Sequence, residues 1–350
     1  MRLLVKFLRV PQSGSELVKF ITALGRDPCQ SARIATENVT NIGLSPGLTP
    51  KTVVTEFLLQ AFGNLHSLSV LIFIVFLVIF GLTITGNLLI IVLVTTCRVL
   101  HSPMYYFLCH LSVGDILLSV NIVPNILCAS LMGGAKISYP GCIIQYYIYS
   151  GTTITECFLL SVMSYDRYVA ICFPLHYTSI MDFNTRVHLM AWPWILGFTV
   201  NFIAIELITN FNFCNDHIID HFYCDATPLQ KISCSDTSLI ELITLVFSTP
   251  IFIVPCCLIV ISYVSIFLTI LRIPSTAGKQ KAFSTCSSHL IVVGMFYGTL
   301  SQSTDTIQGH SLLVNKIISL VHTVFTPMVN PLIYSFRNQD IRRLIKKYKG

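Results

Sequence analysis

Charge is scarce in this chain. Only 11% of its 350 residues are Asp, Glu, Lys or Arg, against 53% hydrophobic, whereas a water-soluble domain carries about 25% charge. An ordinary soluble fold is thereby excluded. Neither a solenoid period nor the inverted halves of a transporter are visible, and low-complexity tracts are absent. The opening MRLLVKFLRV is broken by Lys6 and Arg9, so it lacks the continuous apolar core of a cleaved signal peptide. Just one glycosylation sequon occurs, Asn38-Val39-Thr40.

What is present is apolar length. Seven stretches, at about 68–95, 103–132, 142–172, 187–209, 239–271, 285–303 and 312–334, approach the roughly 20 residues that cross a bilayer as a helix. The fold class expected is therefore an all-α membrane protein, a seven-transmembrane helix bundle. Its divisions are a polar, irregular tail at 1–67 (of which 1–35 is atypical and left unassigned), the bundle at 68–336 and a basic tail at 337–350. Short loops on one side receive Arg98, Arg167, Arg186, Arg272, Lys279 and Lys281 and lead to the basic C-terminal tail. Those opposite hold only Lys136, Lys231 and Lys316 among several acids. The positive side is cytoplasmic, so the C-terminus is expected inside and the N-terminus, with Asn38, outside. Basic residues in the N-terminal tail argue weakly against this, but long segments translocate largely regardless of charge.

After Tyr334 the segment 338–349 reads as a short amphipathic C-terminal helix. Ile341, Leu344 and Ile345 lie on one side, with Arg342, Arg343, Lys346 and Lys347 around them, suited to an anionic leaflet. Of the 13 cysteines, Cys142, Cys214, Cys224 and Cys234 fall at or beyond the outer face, where disulfides persist. Four cysteines allow three pairings, and spacing does not choose among them.

Polar groups inside apolar stretches are the candidate functional residues, because they cost free energy in lipid unless partnered or used. Asp166 and Arg167 stand between two tyrosines in MSYDRYVAIC (163–172). That pair is either a switch or merely a helix-end ion pair. Gly86-Asn87 and Asp115 are expected to face the bundle interior. Pro250, Pro255, Pro327 and Pro331 each remove a backbone donor and bend a helix, opening a cavity or simply being tolerated by packing.

Together the motifs GN (86–87), PMYYFLCHLSVGD (103–115), MSYDRYVAIC (163–172), SY (262–263), KAFSTCSSHL (281–290) and PMVNPLIYSFRNQD (327–340) resemble those of rhodopsin-like G-protein-coupled receptors. More narrowly they resemble odorant receptors, over about 55–347. KAFSTCSSHL is a hallmark of that subfamily. Phe296-Tyr297-Gly298 stands where most rhodopsin-like receptors place a tryptophan and a proline, and the loop at 272–281 is short, as in odorant receptors. The long N-terminal extension departs from the family pattern.

The resemblance implies a Cys142–Cys224 disulfide, with Cys214 and Cys234 then pairing within one loop, and that loop lying as a lid over the cavity. It implies an ion or proton site at Asp115 and Glu156, where the bland alternative is a neutral hydrogen-bonded pair. A coupling switch is implied at Asp166, Arg167 and Tyr168, with Tyr263, His289 and Tyr334 as the partners Arg167 would reach. Ligand contacts carry over approximately: Tyr149, Ser150, Thr153 and Ile154 on the third helix; Phe247 and Ile251 on the fifth; Tyr297, Leu300 and Thr304 on the sixth; Thr323 on the seventh. This mostly apolar lining with a few hydroxyls suits a small, neutral, hydrophobic ligand. There is no acid where Tyr149 stands, as an amine receptor would need, and Val324 stands where an opsin would carry its Schiff-base lysine.

The function implied is an odorant receptor of the plasma membrane that activates a stimulatory, olfactory-type G protein, and not an enzyme. No cofactor, metal or nucleic acid is expected. Asp216, His217, Asp220 and His221 could be read as metal ligands, but a solvated acidic loop accounts for them. A transporter or channel would need discontinuous helices or a continuous polar path, for which Asp115 and Glu156 are too little. A family member that senses a metabolite outside the nose would look the same in sequence.

Overall fold

The computed structural model describes residues 54–61, 68–213, 217–235, 238–304 and 312–337. Seven long helices dominate: α1 (Ser69–Thr96), α2 (Pro103–Met132), α3 (Tyr139–Cys172), α4 (Phe183–Thr209), α5 (Ser238–Arg272), α6 (Thr276–Thr304) and α7. The last is built from Leu312–Leu320 and Thr326–Arg337 joined through a π-helical turn at Val321–Phe325. Five of them, α1, α2, α4, α5 and α7, are both long and apolar enough to cross a membrane, and α6 carries a shorter apolar stretch at Cys286–Leu300. The more polar α3 lies against α2, α4, α5 and α6, so neighbours rather than lipid cover its hydroxyls and charges.

Local sequence explains where these helices begin and end. In α2 the extended Ser102 precedes Pro103, whose fixed φ suits a first helical position, and Gly133 ends the helix at φ 73°. The Ser138 hydroxyl caps α3 by accepting from Gly141 N at 3.2 Å, and the Asp182 carboxylate caps α4 by accepting from Thr185 N at 2.8 Å. Helix α6 starts at Thr276, nine residues before the apolar stretch expected from 285. Its first turns are the polar segment containing Lys279, which helix geometry carries beyond the hydrophobic zone.

Two proline carbonyl gaps are filled from neighbouring helices. Pro331 has no N–H, which strands the carbonyl of Pro327 one turn earlier in α7. The Asn87 side chain of α1 donates to that oxygen at 3.0 Å. Such proximity requires Gly86, since a Cβ there would lie 3.0 Å from the Pro331 ring. This contact explains why Gly and Asn stand together. In α5, Pro255 likewise strands the carbonyl of Ile251, and the Cys157 thiol of α3 donates to it at 3.8 Å. A second close approach joins α3 to α4, where a Cβ on Gly197 would meet the Gly151 carbonyl at 2.6 Å.

At one end of the bundle lies a three-stranded sheet ordered β2-β1-β3, with β1 at Glu56–Leu59, β2 at Ala135–Ser138 and β3 at Ile218–Ile219. Strand β1 pairs antiparallel with β2 (Phe57 opposite Ile137) and parallel with β3 (Leu58 opposite Ile218). This corrects the expectation of an irregular tail through residue 67. The segment EFLL alternates, with Phe57 and Leu59 buried, but four residues show no clear period alone. Their hydrogen-bonding partners come from two distant loops.

Candidate functional site

At the bundle end opposite the sheet, Asp166 is fully buried and forms an ion pair with Arg167, whose Nε donates to Asp166 Oδ2 at 3.0 Å. The other carboxylate oxygen accepts from the Tyr177 hydroxyl at 2.8 Å. Tyr177 sits on a one-turn helix, Tyr177–Ile180, between α3 and α4, and burial and the adjacent Asp166 charge raise its hydroxyl pKa above the ordinary phenol value. Each carboxylate oxygen therefore has a donor, which offsets the cost of burying the charge. Nearby, the Tyr263 hydroxyl of α5 lies 2.7 Å from His289 Nδ1 of α6, with the rings stacked. The Tyr334 hydroxyl of α7 is buried and has no hydrogen-bond partner among the described residues. Tyr168 packs edge-on against Phe173.

Midway along the bundle, Asn330 Nδ2 of α7 donates to both carboxylate oxygens of Asp115, at 3.0 and 3.2 Å. The Glu156 carboxyl comes within 3.0 Å of the Cβ position of Gly114, next to Asp115 in α2, and its Oε1 has no partner among the described residues. Two acids from α2 and α3 thus meet in the interior.

Residues expected to contact ligand are only partly gathered. Tyr297 of α6 meets α3 through Cys157, its hydroxyl 2.9 Å from the sulfur. Leu300, Thr153, Ile154 and Thr323 are buried. Ser150 donates to the Tyr146 carbonyl and Thr323 to the Ser319 carbonyl, each within its own helix. Tyr149 packs against Tyr223 at a ring separation of 4.7 Å. Phe247 is 48% exposed, off the α5 face that buries Pro255, Ile259 and Ile266. The side chain of Thr304 lies outside the described residues, as do Asn38, Cys214 and the tail 338–350.

The family model for olfactory receptors matches residues 73–349. Human olfactory receptor 10A5 is 43% identical over 300 residues, covering 85% of this chain and 94% of its own length. Human olfactory receptor 11A1 is 41% identical over 300 residues (85% and 95%) and mouse olfactory receptor 2A7 41% over 297 (85% and 96%). The chain belongs to the olfactory receptor family.

In this olfactory receptor the sheet end is closed by the loop between α4 and α5. Cys142 at the start of α3 is disulfide-bonded to Cys224 in that loop. Cys234 is also disulfide-bonded, and so is Cys128 in α2, which is not among the four cysteines expected at the outer face. Beneath the disulfide, Gln145 of α3 accepts from Cys224 N at 2.9 Å and donates to the Asn121 carbonyl of α2 at 2.8 Å. Lys316 of α7 pairs with Asp220 and approaches the carbonyls of Gln60 and Ala61 at 3.5 and 3.4 Å. One ammonium thereby ties α7 to the loop and to the segment after β1.

Two titratable groups of this cap are displaced in opposite functional senses. Burial pushes the His221 imidazole down to about 4, although Asp220 nearby favours the charged ring. Burial pushes the Asp225 carboxyl up to about 6, partly offset by the Ala226 N–H it accepts at 2.7 Å as the cap of the short helix Ala226–Lys231. Gln145, Cys157 and Tyr177 are site residues that sequence reasoning missed. Their roles depend on partners 79, 140 and 11 residues away, and no local pattern marks them.

Proposed function

We propose that this chain is an odorant receptor that binds a small, mostly hydrophobic ligand within the helix bundle and activates a stimulatory, olfactory-type G protein. It sits in the plasma membrane with its N-terminus outside and its C-terminus in the cytoplasm, and it catalyses no covalent chemistry. The observation that carries this reading is the Arg167 arrangement. An arginine paired with Asp166 stands close to a bonded Tyr263–His289 pair and to a Tyr334 hydroxyl that has no partner among the described residues. In the resting receptor Asp166 holds the arginine. On activation it swings to Tyr263 and Tyr334 as α6 moves outward, opening a groove for the G protein. Asp115 and Glu156 share a cation or proton that biases the same transition.

The test is ligand-dependent cyclic AMP in cells carrying the receptor at their surface, challenged with a broad odorant panel. A response from receptor-expressing cells alone supports the assignment. Silence across the panel, with surface delivery confirmed by labelling, overturns it.

A further inference from the structure

The Cys157 thiol has one proton and two neighbours. Pro255 leaves the Ile251 carbonyl of α5 without its helical donor, and the thiol lies 3.8 Å from that oxygen as its donor. With the S–H so engaged, the 2.9 Å contact to Tyr297 is the phenol donating to sulfur. Sulfur is a weak acceptor, so the Tyr297 hydroxyl is held loosely where α3, α5 and α6 meet.

One turn along the same face of α3, Thr153 is 4% exposed and its hydroxyl has no partner among the described residues. Threonines elsewhere in these helices hand their proton to their own backbone, as Thr83 does to Ile79, Thr155 to Gly151 and Thr323 to Ser319. Thr153 does not, so its hydroxyl is offered away from its helix. Two hydroxyl donors, one unused among the described residues and one weakly used, thus lie about one helical turn apart along the face of α3 that meets α6. The Glu156 carboxyl is turned elsewhere, toward Gly114.

We infer that the ligand is an apolar molecule bearing a single carbonyl oxygen, a ketone, aldehyde or ester, and that Cys157 is the specificity-determining residue. A carbonyl oxygen has two lone pairs and no proton of its own to satisfy. It takes the Tyr297 hydroxyl from the sulfur and the Thr153 hydroxyl alongside. A hydrocarbon leaves both donors unused, and a carboxylate or ammonium meets no opposite charge here. This inference rests on the odorant-receptor reading above.

The experiment compares one carbon skeleton presented as alkane, alcohol, ketone, amine and carboxylate, reading cyclic AMP from wild type and from Tyr297→Phe, Cys157→Ser and Cys157→Ala at matched surface density. The ketone is expected to be the most potent in wild type, and Tyr297→Phe to raise its EC50 about 10-fold. Cys157→Ser supplies a stronger acceptor that retains the Tyr297 proton, raising the EC50 several-fold. Cys157→Ala removes the rival acceptor and leaves the EC50 equal or lower. A packing role alone would shift both cysteine variants in the same direction, and that result would overturn the inference. So would an alkane, alcohol, amine or carboxylate as the most potent ligand, which leaves the odorant reading intact. Silence toward every compound on this skeleton, in a receptor that answers the broad panel, overturns the inference, whereas silence across the broad panel as well sinks both.

Discussion

The Tyr177 hydroxyl donates to Asp166 at 2.8 Å, on the oxygen that Arg167 does not use. The loop after α3 therefore supplies a donor to the ion pair that, in the proposed switch, holds Arg167 at rest. Removing this donor in Tyr177→Phe weakens a charge-assisted hydrogen bond in a partly exposed setting, worth about 1 kcal/mol, or roughly a 5-fold shift between two states. Basal cyclic AMP is expected to rise several-fold without ligand. Unchanged basal signalling at equal surface density would show that Tyr177 does not hold the lock.

Arg167→Ala removes the group that the proposed switch moves. Signalling is expected to fall to background while surface density stays within about 2-fold of wild type, because Asp166 keeps Tyr177 as a donor. Normal ligand-stimulated cyclic AMP from this variant would refute the switch role.

The contact between Asn87 and the Pro327 carbonyl is the basis for a stability prediction. Asn87→Ala leaves a buried carbonyl without a donor, a loss of about 1 to 3 kcal/mol. In lipid no water replaces the missing partner. Purified receptor in nanodiscs should melt several degrees lower. Gly86→Val should be at least as harmful, since the first added carbon already sits 3.0 Å from Pro331. Wild-type melting of both variants would mean that α1 and α7 separate without loss.

Much of this architecture is legible in sequence, for physical reasons that also mark where legibility stops. Apolar length places the helices, because each span must satisfy lipid by itself. The α3 motif stands out because Asp and Arg are rare in such surroundings. By contrast, β1 at Glu56–Leu59 is invisible until two loops supply its partners. Helix α6 begins before its apolar stretch because intrahelical hydrogen bonds continue through polar residues. Gln145 and Cys157 look like ordinary helix residues until the fold brings Cys224 and Tyr297 to them.

The cap offers a comparison of magnitudes. Asp220 is 46% exposed, so its pair with Lys316 is worth under about 1 kcal/mol. The disulfide at Cys142 closes a long loop and contributes about 2 to 4 kcal/mol. Asp220→Asn should therefore leave surface expression near wild type. Cys142→Ser should trap the receptor inside the cell, and Lys316→Ala should lie between, since it also deserts the carbonyls of Gln60 and Ala61. Equal surface labelling of Cys142→Ser and wild type would remove the disulfide from this role.

Acid should act on the cap through two groups of opposite sign. His221 titrates near 4 when folded against an ordinary 6.5, so it binds its proton more readily once the cap opens. Its stabilising contribution is complete above 6.5 and is lost as pH falls toward 4. Asp225 holds its proton up to about 6 against an ordinary 3.8, so its burial costs most above 6 and is relieved on acidification. The charges facing His221 are Asp220, Lys231 and Lys316. Between pH 7.5 and 5.5 the two effects partly cancel in wild type. Asp225→Asn leaves only the histidine, and the melting temperature of purified receptor should fall more steeply with acid than in wild type. His221→Asn leaves only the aspartate, and acid should then raise the melting temperature. Parallel pH profiles for both variants would show that neither group titrates with cap opening.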